Sequence, residues 1–322
     1  MDHDPLRDFW HPVALSTDVK DKPMPATLLD EQIVLWRSKA GVAAFKDLCL
    51  HRGSRLSLGW TDGDQLVCAY HGWCYNDRGE VIRIPSIPAD RGIPAKARAE
   101  TYQCVERYGL VFVCLGEPRR NIYEVPEFGD PSFRTHIMGP ALWKTGAARS
   151  LENFIDEAHL PWVHAGMLGN RDNVPTIPSR DVRIEDEAFY FEYQSEVRDR
   201  IDPSKHTMNL LTYHVVLPFS LYHENVSPNG DRVIDLFFCT PVSEKQTVRY
   251  MVVARNFALD KTADKFIEFT STLWEQDRVV VESQRPEELP VDLTEELHVR
   301  GPDDPSVIYR RMLRKLGVAN VA

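Results

Sequence analysis

Four residues in the first quarter of the chain have the types and spacing of a metal site. Cys49 and His51 form one close pair and Cys68 and His71 another, with sixteen residues between His51 and Cys68. Thiolates and neutral imidazoles are the side chains that hold borderline and soft transition metals. A single zinc ion in a Cys₂His₂ set is one chemistry that fits. Zinc pairs, however, usually group Cys with Cys and His with His. Here each pair mixes one of each. That suits two irons, one taking both thiolates and the other both imidazoles, with each loop giving one ligand to each iron. Gly53 and Gly72 follow closely on the two histidines. At such positions glycine lets the backbone turn tightly and bring N–H groups toward cluster sulfurs.

A second set lies further on. Residues 153–164 read NFIDEAHLPWVH, in which Asn153, Asp156 and His159 recur every three residues. On a helix that spacing places them along one side. Pro161 would then end or bend the helix and let His164 return toward His159. Taken alone, the two histidines read first as core or capping residues, and Asn153 reads equally well as a helix N-terminal residue satisfying backbone donors. A later stretch shifts the balance. In 263–284 the apolar residues Phe266, Phe269, Leu273, Val280 and Val281 make a stripe of helical period, and Asp277 falls on it. An unpaired carboxylate there is costly to bury. Coordination of a cation accounts for it, as would pairing with Arg278. Two histidines and one carboxylate are the donor set of non-haem Fe(II) oxygenases, which leaves coordination positions open for O₂ and substrate.

The elements that must carry these residues fall into two groups. Residues 10–115 read as short strands separated by turns: strands at 27–29 and 32–36 around an Asp30-Glu31 turn, a turn at 62–64 before a strand at 65–69, a turn at 77–80, and a buried strand at 109–114. The stretch from Gly116 to Pro140 is rich in Pro, Gly and charge and reads as a boundary. Beyond it, strands are expected at 180–197, 211–224, 233–240 and 247–256, with helices near 150–160 and 263–284. This is an α+β pattern: a small antiparallel β domain, 1–120, and a second domain, 121–322, with an antiparallel sheet and helices on one face. Met167, Leu168, Asn209, Tyr213, Leu217, Phe219, Tyr222 and Asn256 are expected around the second site. A closing helix at 306–316 carries Arg310, Arg311, Arg314 and Lys315 beside an Ile308/Met312/Leu316 stripe. It reads as a solvated face, with docking of an acidic redox partner as the alternative.

The two motif sets together resemble the Rieske non-haem iron oxygenase α subunit over almost the full chain. The family phrases C-P-H-R-G and C-P-Y-H-G-W match 49–53 and 68–73, with Leu50 and Ala69 where proline is common. Neither departure touches a ligand position. The family's N-x-x-D-x-x-H-x-x-x-x-H matches Asn153, Asp156, His159 and His164, and its late carboxylate matches Asp277, followed by Gln284-Arg285-Pro286. The length is like the stand-alone subclass that includes vanillate O-demethylase, phthalate oxygenase and caffeine N-demethylases. The stretches 108–113 and 296–311 look most like the saxitoxin-pathway Rieske hydroxylases.

The resemblance implies a helix-grip-like catalytic domain, a Rieske [2Fe–2S] cluster on Cys49, His51, Cys68 and His71, and a mononuclear Fe(II) on His159, His164 and Asp277. It implies Asn153 beside that iron, orienting water or O₂. It also implies a homotrimer, closed by head-to-tail contacts, in which Asp156 joins a neighbour's His71 to His159 and carries electrons across. The implied activity is monooxygenation, by hydroxylation or by O- or N-demethylation, of an aromatic or heterocyclic small molecule. Arene cis-dihydroxylation is the alternative. A Rieske electron carrier with a ligand-binding domain is a third reading, separated from the oxygenases by about two rather than three Fe per chain.

Bulk properties narrow the classes. The 322 residues carry a net charge of −10, without the basic footprint of a general nucleic-acid or membrane-surface binder. The N-terminal MDHDPLRDFWHP has no apolar core segment, and the longest apolar runs are far too short to span a bilayer. A cytoplasmic protein is expected. The other four of the six cysteines show no disulfide spacing and read as buried thiols. No G-x-G-x-x-G is present, so electrons must come from a separate NAD(P)H-dependent reductase, with or without a ferredoxin.

Overall fold

The computed structural model describes residues 4–88, 90–198 and 205–318. Contacts divide these into two units, one spanning Leu6–Ile122 and the other running from Tyr123 onward.

The first unit is built on β1 (His11–Leu15), β2 (Met24–Leu28), β3 (Glu31–Ser38) and β4 (Gly41–Lys46). A smaller sheet follows: β5 (Trp60–Thr61), β6 (Leu66–Val67), β7 (Cys74–Tyr75) and β8 (Val81–Arg83). Then β9 (Thr101–Arg107) and β10 (Leu110–Cys114) return to complete an antiparallel six-stranded sheet in the order β1-β10-β9-β4-β3-β2. The β2–β3 turn falls on Leu29 and Asp30, both at positive φ, one residue earlier than the sequence pattern places it. This register pairs Leu28 with Glu31 and buries Leu28, Ile33 and Leu35 together.

Strand β3 decides how the two Cys-His loops are held. Ile33, Val34, Leu35 and Trp36 are all fully buried, so both faces of the strand are covered. Because side chains alternate across a strand, Ile33 and Leu35 join Val13, Val111 and Val113 in one core. Val34 and Trp36 join Phe45, Leu66 and Tyr75 in another, and that second core contains Cys49 and Cys68. Burial of each large side chain here is worth about 1.5–3 kcal/mol. The two cysteines are thus anchored in packed apolar surroundings.

The second unit is one antiparallel seven-stranded sheet, β11-β17-β16-β15-β14-β13-β12. Strand β11 (Arg134–Trp143) lies in the stretch expected as a boundary loop. Its Gly139-Pro140 sits at a register shift on an edge strand, where a missing N–H breaks no ladder. Two segments that read as single strands are hairpins. One is β12 (Arg183–Glu185) with β13 (Ala188–Arg198) and the other β14 (His206–Val216) with β15 (Ser220–Val226). The alternation runs on through both turns, and Pro218 marks the second. Strands β16 (Arg232–Ser243) and β17 (Gln246–Arg255) complete the sheet.

Helices α1 (Ala147–Ile155) and α3 (Asp264–Val281) lie on one face of it, where Phe237 of β16 stacks on Phe154 of α1 at 4.7 Å and meets Trp274 of α3 edge-on at 6.1 Å. The architecture is α+β, as expected. Between these two helices lies a single helical turn, α2 (Leu160–Val163). No helix among the described residues is long and apolar enough to cross a membrane.

The closing helix, α4 (Asp304–Lys315), differs from its sequence reading. Its buried face runs through Pro305, Ser306, Tyr309, Arg310, Met312 and Leu313. Arg310 is 3 % exposed and forks between Glu152 on α1 and Glu296, with Nη2 at 2.7 and 2.6 Å; Arg149 closes the set on Glu296 at 2.7 Å. The solvated-face reading fails at this residue because two carboxylates, one of them from distant α1, converge on it. Arg310→Ala leaves both without that partner. It is expected to cost about 3–5 kcal/mol, read as a lower urea midpoint.

Candidate metal centres

The two loops of the first unit are the same device used twice. The Cys49 N–H donates to the Ser54 carbonyl at 2.7 Å and the Cys68 N–H to the Trp73 carbonyl at 2.9 Å. Within each loop the glycine four residues on closes the turn: Gly53 N–H to the Cys49 carbonyl at 2.9 Å, Gly72 N–H to the Cys68 carbonyl at 3.0 Å. Both glycines have φ +68°, a conformation side chains with Cβ rarely adopt. This is why a glycine follows each histidine.

The loops face their ligands together. Cys49 and Cys68 are 3 % and 1 % exposed and share one core, and Cys49 Sγ lies 3.0 Å from the Tyr75 hydroxyl. The imidazoles of His51 and His71 lie outside them, with ring centroids 4.5 Å apart, and His51 stacks on Trp73 at 4.6 Å. The Nδ1 of His51 has no partner among the described residues. Buried thiols inside and imidazoles outside fit a two-iron cluster with its histidine iron toward the surface. Cys74 is buried behind them with its Sγ at 3.3 Å from the Gly72 carbonyl, a core thiol.

In the second unit His159, His164 and Asp277 bring ligand atoms within 4.8 Å of one another. Asp277 Oδ1 is 3.0 Å from His164 Nε2 and 3.5 Å from His159 Nε2. The backbone route differs from the sequence expectation. Helix α1 stops at Ile155, and Asp156 is its C-cap in an extended conformation, so Asn153, Asp156 and His159 do not share one helix. Asp156 Oδ1 accepts the Ala158 N–H at 2.7 Å, which helps turn the chain. Pro161 starts the short helix α2 instead of ending α1, consistent with its fixed φ at a first helical turn. Asp277 is buried on α3 together with Phe266, Thr270, Trp274 and Val281. Arg278 does not pair with it, being engaged by Glu275 and Glu282.

Neighbouring groups orient the three. The Nδ1–H of His164 donates to Gln276 Oε1 at 2.8 Å, which leaves Nε2 as the lone-pair donor. Asp156 Oδ2 lies 3.3 Å from His159 Nδ1 without the alignment of a hydrogen bond. Asn153, near the end of α1 and so no N-terminal cap, donates from Nδ2 to Asp277 Oδ1 at 3.3 Å. Burial disfavours charge on His164, yet its contacts with Asp277 and Gln276 prevail and raise its pKa. Burial likewise opposes the Asp277 carboxylate, and His164 nevertheless holds its pKa below the ordinary value.

Gln276 escaped sequence reasoning although it adjoins Asp277, because only the fold brings it to His164. Gln276→Leu is expected to weaken iron binding about 10–100-fold, measured by chelator competition, with cluster absorbance unchanged.

A mostly apolar cavity of about 150 Å³ adjoins this set, with Leu160, Leu211, Phe269, Leu273 and Trp274 in its walls. Of the eight expected lining residues, Leu168 and Tyr213 are present. The other six, Met167, Asn209, Leu217, Phe219, Tyr222 and Asn256, do not line it. Strand parity explains part of this. On β15 the buried positions are Leu221, His223 and Asn225, so Tyr222 takes the other face. Leu217 and Phe219 pack in the β14–β15 turn, Asn209 bonds to Asn225, and Asn256 bonds to the Arg232 N–H. Nearby, the guanidinium of Arg249 is fully buried among Trp143, Phe237 and Trp274, 3.9, 4.5 and 5.0 Å from their centroids. Burial pushes its pKa down to about 10.

Known proteins are similar to this chain. The family model described as "Rieske [2Fe-2S] domain" matches residues 9–104, and the one described as "Vanillate O-demethylase oxygenase C-terminal domain" matches residues 143–319. Methylxanthine N1-demethylase NdmA of Pseudomonas putida is 32% identical over 98% of this chain and 90% of its own length. Methylxanthine N3-demethylase NdmB of the same organism is 29% identical over 98% and 91%. The structure of Pseudomonas putida CBB5 NdmA with caffeine aligns at a TM-score of 0.86, with 30% identity over 96% of this chain and 90% of that one. Dicamba monooxygenase bound to dicamba aligns at 0.81 with 21% identity over 97% of both chains, a likeness of fold alone.

Proposed function

The chain belongs to the Rieske non-haem iron oxygenases, with a vanillate O-demethylase-type catalytic domain, and from that premise we propose that it monooxygenates an aromatic or heterocyclic small molecule at the cavity beside His159, His164 and Asp277. Membership entails a Rieske [2Fe–2S] cluster, a mononuclear iron, O₂, a small-molecule substrate and an electron-donating reductase. We assign the cluster to Cys49, His51, Cys68 and His71 and the mononuclear iron to His159, His164 and Asp277. The observation that carries the assignment is the convergence of one carboxylate and two imidazoles on a point that adjoins an apolar cavity.

When bound, the mononuclear iron supplies O₂ activation and the cluster supplies stored electrons. The protein's own groups do the rest. Gln276 keeps the Nδ1 proton of His164 away from the ligand side. Asn153 holds Asp277 by its amide and stands where it can also orient a water or O₂. The apolar walls, Phe269, Leu273 and Trp274 among them, take a ring and exclude bulk water. In balance, a C–H bond, O₂, two electrons and two protons give C–OH and water. If the carbon is an N- or O-methyl group, the hydroxymethyl product collapses to formaldehyde and the free N–H or O–H.

A homotrimer with Asp156 as the bridge between His71 of one copy and His159 of the next belongs to the same proposal, as does a cytoplasmic location. Exposed apolar side chains support the contact: Leu50 and Tyr70 beside the cluster loops, and Leu297 and Trp162 near Asp156 and His159. The test of the activity is turnover with a surrogate reductase on a panel of methylxanthines, caffeine and theobromine included, and methoxybenzoates. Gain of one oxygen or release of formaldehyde supports the reading. Gain of two oxygens would instead make it a cis-dihydroxylating enzyme. Binding with about two Fe per chain and no product would make it a carrier.

A further inference from the structure

The cavity has a polar wall that the metal chemistry does not use. On the sheet, His223 of β15 and Asp235 of β16 are directly paired across the strands and both line the cavity. They are 7 % and 3 % exposed, and His223 Nδ1 lies 3.2 Å from Asp235 Oδ2. Two residues along the same face of β15, Asn225 also lines it. Its Oδ1 accepts from Asn209 Nδ2 at 2.6 Å.

These bonds fix what each group has left to offer. A carboxylate only accepts, so in the neutral His223 ring the proton sits at Nδ1. Nε2 then carries a lone pair, and it has no partner among the described residues. Asn225, with its carbonyl engaged, has its N–H₂ to give. A buried Nε2 left in this state is costly unless something in the cavity matches it.

We propose that His223 and Asn225 are the specificity-determining pair of the pocket, with Asp235 as the positioning residue that sets the His223 tautomer. The class of substrate they select is a ring that presents an N–H or O–H donor to His223 Nε2 and an acceptor, such as a ring carbonyl, to Asn225 Nδ2. Lactam- and imide-bearing heterocycles have this edge; their fully N-alkylated counterparts lack the donor. The proposal rests on the oxygenase reading of the adjoining site.

The test has two arms. In the first, binding of N–H and N–CH₃ partners, theobromine against caffeine and uracil against 1,3-dimethyluracil, is measured by calorimetry on the oxidised holoenzyme. The N–H member is expected to bind at least roughly tenfold tighter. Asp235→Asn can donate to Nδ1 and move the ring proton to Nε2, which is expected to erase or reverse that preference with iron content unchanged. No preference in any pair, no binding of any N–H member, or the same preference in Asp235→Asn overturns the proposal. In the second arm, ¹⁵N NMR of histidine-labelled protein with zinc in the mononuclear site reads the ring directly, His223→Gln providing the assignment. A protonated Nδ1 and unprotonated Nε2 are expected in the wild type, and the opposite in Asp235→Asn. A wild-type imidazolium or Nε2–H form overturns it. Neither arm requires turnover, so a panel that yields no oxygenated product bears on the oxygenase reading alone.

Discussion

Asp277→Ala is expected to lower iron from about three to about two per chain and to abolish oxygenation while the spectrum of the reduced cluster stays as in the wild type. The carboxylate is the one anionic donor of its set, 7 % exposed and in contact with both imidazoles. Without it, two neutral nitrogens remain to hold a divalent cation, and Asn153 loses its hydrogen-bond acceptor. The substitution removes a buried charge together with the polar contacts that fix it, so the fold is expected to survive. The proposed cluster ligands belong to the other unit, where Cys49 and Cys68 sit in a separate core. Iron analysis, electron paramagnetic resonance of the reduced protein and product formation check the three parts. A variant that keeps three irons and full turnover would remove Asp277 from the metal site.

Asp156 separates loading from electron delivery. Asp156→Ala is expected to leave both centres filled and to reduce turnover roughly 100-fold, the upper end for groups that act on a metal through its ligand. The carboxylate is one-third exposed, with Oδ2 3.3 Å from His159 Nδ1 and Oδ1 on the Ala158 N–H. The second bond gives it a local structural role that alanine also destroys. Asp156→Asn distinguishes the two. Its carbonyl can still accept from Ala158, while the negative charge that would join a cluster histidine of a neighbouring copy to His159 is gone. Single-turnover oxidation of the pre-reduced cluster reads electron transfer directly. Slow transfer in both variants supports the bridge; a normal rate in Asp156→Asn reduces Asp156 to a turn-forming residue.

Local spacing in the sequence carried the proposed metal sites. Cys49, His51, Cys68 and His71, with a glycine four residues after each cysteine, specify two repeats of one short loop, and such loops are set by nearest-neighbour backbone geometry. Asp277 was legible for a related reason. A carboxylate on the apolar stripe of a long helix stands out whatever the helix packs on, and α3 does bury it. The α+β class and the approximate positions of most strands in both units also follow from periodicity.

Tertiary structure decided the rest. The alternation at 180–197 and 211–224 does not show where a hairpin turns, so two readings became four strands. Nor does alternation say which parity faces the site, which is why Tyr222 was expected in the cavity and His223 and Asn225 were not. Arg310 looked like a surface cation because its partners, Glu152 and Glu296, come from separate segments. Gln276 gained its role only when α3 met the residues following α1. For Gln276 and for Arg310 with Glu152 the deciding contact joins residues more than a hundred positions apart in the chain. Local propensity and periodicity specify which surfaces an element has, while the pairing of those surfaces depends on packing the whole unit at once.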